Sequence, residues 1–89
     1  LDVWSFGIVL WEIFTYGEIP YRNLKSSEEL ETFLITEQKR LGQPKNCPDE
    51  VYRLMNDCWK ENREQRPSFS EIIQRINNLI GANKKYGEK

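Results

Sequence analysis

The stretch from Asp2 to Tyr16 constrains this chain more than any other. Apolar side chains stand at Val3, Trp4, Phe6, Ile8, Val9, Leu10, Trp11, Ile13 and Phe14. At helical spacing they go most of the way round the axis. A helix apolar on nearly every face must be enclosed by protein or lie in lipid. A bilayer span needs about 20 apolar residues, and this run is shorter and interrupted by Glu12. The segment is therefore expected to be the central helix of a water-soluble domain, with Asp2 as N-cap and Gly17 at its C-terminal turn. Burying each large apolar side chain is worth roughly 1.5–3 kcal/mol, so cover is needed on all sides. Only Leu1 precedes the helix, and it is not Met. The expectation is a piece of a larger domain, cut just before its most buried element.

The 89 residues suit one small domain. With 30% charged residues and a net charge of -1, there is no general attraction to nucleic acid or anionic membrane. Neither a signal peptide nor a membrane-spanning stretch is present. Cys47 and Cys58 form no CxxC pair, and the chain has no histidine. That argues against a disulfide framework or a zinc site and for reduced cytosolic thiols. It also excludes any histidine-dependent triad.

Pro20 marks a loop after Gly17. Ser26 and Glu29 have capping-box spacing, and Leu30, Phe33 and Leu34 extend a short amphipathic helix to about Thr36. Gly42 and Pro44 place Glu37 to Asn46 in a loop. Pro48 is expected at the first position of a third helix, followed by the stripe Val51, Leu54, Met55, Cys58 and Trp59. Lys60 to Gln65 reads as a polar connector. Ser68 and Glu71 repeat the capping-box spacing ahead of a fourth helix, with Phe69, Ile72, Ile73, Ile76, Leu79 and Ile80 on its apolar stripe. Gly81 is expected to stop it, leaving residues 82–89 as a polar, frayed tail. No alternating run predicts a strand.

These residues together resemble the second half of the C-lobe of a protein tyrosine kinase domain. The match runs from Asp2 to about Ile80. Asp2-Val3-Trp4-Ser5-Phe6-Gly7 looks like the start of that family's central C-lobe helix. Leu10-Trp11-Glu12-Ile13-Phe14-Thr15-Tyr16-Gly17, with Pro20-Tyr21 beyond, is similar to its end. Cys47-Pro48, then Met55 and Cys58-Trp59, then Arg66-Pro67-Ser68-Phe69, resemble the next two patterns. Leu1 departs from the small polar residue usual there. The stretch Ser26 to Leu41 is about two residues longer than the family pattern, which leaves the shape of the loop around Glu37–Gln43 open.

The resemblance implies an all-α fragment, about four helices from the helical C-lobe of a protein-kinase-like α+β fold, with residues 1–81 the partial kinase domain. It implies a parent that transfers the γ-phosphate of ATP to protein tyrosines, with ATP and magnesium as cofactors. The parent would reside in the cytoplasm, or form the intracellular part of a membrane receptor. It implies that Asp2 holds the catalytic loop through backbone N–H groups, beyond its local role as N-cap. It implies that Arg66, otherwise a solvated arginine beside a helix start, pairs with the glutamate ending the activation segment. Trp4, Phe6, Trp11, Trp59 and Phe69 are expected in the core, and Cys58 as a small buried residue rather than a reactive thiol. Tyr16, Tyr21 and Tyr52 read as packing or surface residues, and Tyr86 as the one tyrosine worth testing as a phosphate acceptor.

Phosphoryl transfer needs a glycine-rich loop, a strand lysine, a catalytic aspartate and magnesium-binding Asp and Asn. GxGxxG, His-Arg-Asp and Asp-Phe-Gly are all absent from the sequence. No catalytic, cofactor-binding or metal-binding residue is therefore expected in this segment, and alone it is expected to be inactive. Three alternatives stay open: a tyrosine-kinase-like serine/threonine kinase, a pseudokinase scaffold, and a free-standing helical interaction domain.

Overall fold

The computed structural model describes the backbone of residues 2–87 and the side chains of residues 2–81. The elements are α1 (Val3–Phe14), α2 (Ser27–Glu31) passing into a π-helical turn (Thr32–Thr36), α3 (Asp49–Cys58), a 3-10 turn (Arg63–Gln65) and α4 (Phe69–Gly87). Among the described residues there is no strand.

Asp2 caps α1: its Oδ1 accepts the Trp4 backbone N–H at 3.0 Å. At the other end Gly17, at φ +93, donates its N–H to the Glu12 carbonyl at 2.8 Å, a left-handed closure that glycine adopts without steric cost. Ser26 Oγ accepts the Glu29 N–H at 3.1 Å. The Glu29 carboxylate, however, accepts the Lys25 N–H at 3.3 Å, so only half of the expected box forms. The helix ends at Thr36 as the spacing predicts, but its last turn widens, with Glu37 N–H reaching back to Thr32 O at 2.8 Å.

Pro48 caps α3 from outside, at ψ 147, and does not occupy its first turn. The α4 capping box is complete: Ser68 Oγ accepts from Glu71 N at 3.1 Å, and Glu71 Oε1 accepts from Ser68 N at 2.9 Å. One expectation fails here. The fourth helix passes through Gly81 and continues to Gly87, so the backbone of residues 82–87 is helical rather than a frayed tail. Glycine within a helix costs only about 1 kcal/mol, and Ala82 and the two lysines that follow favour helix. Tyr86 lies outside the described side chains.

The core forms where α1 packs on α3. Trp11, Leu54, Met55, Cys58, Trp59 and Ile72 are buried, together with Leu41 and Cys47 from the loops. Trp4, Phe6 and Phe69 are half-buried against this cluster. Gly7 sets the closeness of the two helices, because a Cβ there would stand 2.6 Å from Trp59 Nε1 and 2.9 Å from Cys58 Cβ. The opposite side of α1 is open: Val9 is 48% and Ile13 60% exposed. The helix that is apolar all round is thus covered on one side only by the described chain.

Candidate functional site

The N-terminal turn of α1 gathers the residues to which the sequence attached roles. Asp2 holds the Trp4 backbone through its carboxylate. The Trp4 ring in turn lies against the Arg66 guanidinium, whose central carbon is 5.0 Å from the ring centroid. Asp2 and Arg66, 64 positions apart in sequence, therefore meet through one tryptophan. Arg66 is fixed from behind by carbonyls: its Nε donates to Lys60 O at 2.8 Å and its Nη2 to Glu61 O at 3.4 Å. The described ion pairs are Lys39–Glu37 and Arg75–Asp57, so Arg66 has no carboxylate partner among the described residues.

Beside this corner lies a cleft of about 240 Å³ whose lining includes Trp11, Tyr21, Phe33, Arg40 and Leu41. Tyr21 stands edge-on to Phe33, with ring centroids 6.2 Å apart. Its backbone is left-handed, at φ 56, an unusual conformation for a bulky side chain. Its hydroxyl is buried without a hydrogen-bond partner. Burial raises the Tyr21 pKa, and the nearby Trp4 and Arg40 side chains oppose that shift without cancelling it.

The other aromatic residues are structural supports around the site. Phe6 meets Phe69 edge to face at 6.1 Å and 82°, joining α1 to α4. Trp11 donates its indole N–H to Gly42 O at 2.9 Å, which pins the loop before α3. Trp59 is 1% exposed, and its indole N–H has no acceptor. Cys58 is fully buried; burial, and after it the Asp57 carboxylate, pushes its thiol up to about 11. Tyr52 donates to Leu41 O at 2.8 Å, whereas Tyr16 is 90% exposed.

No group of three His, Cys, Asp or Glu side chains among the described residues is arranged to hold a metal ion. The corner likewise has no glycine-rich loop to receive phosphates. The corner thus joins a carboxylate at the start of α1 to a guanidinium just after the 3-10 turn, each held by backbone hydrogen bonds and both in contact with Trp4.

Residues 1–76 match the family described as protein tyrosine and serine/threonine kinase. The chain belongs to that kinase family. This kinase chain is 45% identical over 85 residues to fibroblast growth factor receptor homolog 1 of Drosophila melanogaster, a match covering 96% of the chain and 12% of the relative. It is 43% identical over 79 residues to ephrin type-A receptor 5 of Gallus gallus, covering 89% of the chain and 8% of the relative. It therefore spans a small part of the length of either protein. No helix among the described residues is long and apolar enough to cross a membrane.

Arg40 is the member of the corner that sequence reasoning missed. It sits in the stretch whose length departs from the family pattern, in no periodic stripe, and only the folded loop brings it to Trp4.

Proposed function

We propose that this chain is the C-lobe support of an ATP-dependent protein tyrosine kinase, and that it carries the catalytic loop on Asp2 and the activation segment on Arg66. The observation behind this reading is the convergence of Asp2 and Arg66 on Trp4, with Arg66 anchored yet lacking a carboxylate. An anchored guanidinium presents a planar fork suited to a carboxylate from another segment. ATP and magnesium are held by other parts of the parent domain, and the acceptors are tyrosines of protein substrates. Both relatives bear receptor names, which favours the intracellular part of a membrane receptor as the parent.

The test is phosphoryl transfer by the kinase domain containing this chain, measured with radiolabelled ATP on tyrosine and serine peptides. Tyrosine labelling in the parent, with a large loss in Arg66→Ala at retained folding, is the expected result. Breaking a buried ion pair from one side typically costs about 3–5 kcal/mol, so a strong effect is expected. Near-normal activity in Arg66→Ala refutes the assigned role. Labelling of serine instead supports the tyrosine-kinase-like serine/threonine alternative, and no labelling of either supports a scaffold.

A further inference from the structure

Arg40 and Arg66 divide three successive carbonyls just after α3. Arg40 Nε donates to Trp59 O at 2.8 Å, while Arg66 takes Lys60 O and Glu61 O. Arg40 Nη1 also donates to Leu34 O at 2.9 Å and Lys39 O at 2.7 Å, so its guanidinium is tied to the π-helical turn as well. Both guanidiniums then share the Trp4 ring, with central carbons 5.2 Å and 5.0 Å from its centroid. Two cations at one ring repel each other, but each is also held by hydrogen bonds to backbone carbonyl oxygens, which charged donors strengthen.

We infer that Arg40 is a positioning residue for Arg66: by fixing the Trp4 ring and the Trp59 carbonyl, it sets the direction in which the Arg66 guanidinium points. This rests on the reading that Arg66 carries the activation segment. The role calls for arginine, whose planar fork of five donors serves several carbonyls and an aromatic face together, whereas a lysine ammonium is a point charge on a flexible stem.

The experiment is a double-mutant cycle in the kinase domain containing this chain, using Arg40→Met and Arg66→Lys. KM for a tyrosine peptide and for ATP are measured well below the melting temperature. Arg40→Met is expected to raise the peptide KM about two- to fivefold, the scale of one exposed cation–π contact, with the ATP KM unchanged. The double variant is expected to be no worse than Arg66→Lys alone, because coupled residues do not add. If Arg40 merely staples the fold, the melting temperature and active fraction fall while both KM values stay put; that result overturns the inference. So does a double variant in which the two factors multiply. Should Arg40→Met fail to fold, Arg40→Lys is judged by the same criteria, since it keeps the charge and loses the fork. Unchanged activity in Arg66→Ala overturns the proposed function and this inference together, whereas an Arg66 effect without coupling to Arg40 overturns only the inference.

Discussion

Replacing Gly7 with alanine should destabilise the chain although alanine is the better helix former. The added Cβ would lie 2.6 Å from Trp59 Nε1, 2.9 Å from Cys58 Cβ and 3.2 Å from Trp59 Cδ1. The first two distances are far inside van der Waals contact. Neither neighbour can easily yield: Trp59 is 1% exposed and Cys58 fully buried, so relief requires α1 and α3 to move apart. Overpacking of this kind costs about 1–3 kcal/mol. Two hard contacts against buried groups place Gly7 toward the upper part of that range. Alanine returns about 1 kcal/mol of helix propensity, leaving a net loss of about 1–2 kcal/mol. In a domain of 150–250 residues that corresponds to a fall in Tm of about 2–8 °C. The assay is thermal unfolding of the kinase domain carrying the substitution, followed by tryptophan fluorescence and circular dichroism. Gly81→Ala is the control: Gly81 lies within α4, and a Cβ there meets nothing within 4 Å. It should gain up to about 1 kcal/mol. A Gly7→Ala protein that melts at or above the parent's temperature would refute the close-packing argument for α1 and α3.

Tyr21→Phe is expected to be neutral or stabilising by up to about 1 kcal/mol, because it deletes a buried hydroxyl that has no partner; clear destabilisation in urea titration would show that the hydroxyl is bonded. The Cys58 thiol, raised from 9.0 to about 11, stays neutral when folded while the unfolded thiol ionises at lower pH. Its contribution to stability is thus complete below pH 9 and is lost as pH rises from 9 to about 11. Cys58→Ala should flatten that part of the pH–stability curve, and native Cys58 should resist alkylation at pH 8. Glu71 shows the opposite sign: its bonds to the Ser68 backbone and hydroxyl lower its pKa below 4.5. Its capping contribution is present above pH 4.5 and is lost as the pH falls through the depressed value. Glu71→Gln should remove this dependence of α4 helicity on pH, as read by circular dichroism between pH 6 and pH 3.

Local structure was legible in the residues wherever neighbours in sequence decide it. The helix starts at Asp2, Ser26 and Ser68 follow from side-chain oxygens within three residues of orphan N–H groups. The stripe of α3 needed only helical spacing. Where two local outcomes compete, reading residue types was insufficient. Gly81 carries the signature of a helix stop yet sits inside a helix, because the residues beyond it favour helix and nothing turns the chain away. Glu29 has the spacing to reach Ser26 but finds the Lys25 N–H.

The sequence by itself determined the helical class, the one helix that cannot stand uncovered, and the kinase family, since apolar periodicity and short motifs are properties of residues in order. Only the tertiary structure decided which side of that helix is closed, at Gly7 against Trp59, and which side stays open at Val9 and Ile13. It also decided that Asp2, Trp4, Arg40 and Arg66 form one corner. Arg40 and Arg66 take consecutive carbonyls after α3 from positions 26 residues apart. Such contacts depend on where loops bring guanidiniums in space, and no spacing along the chain encodes that.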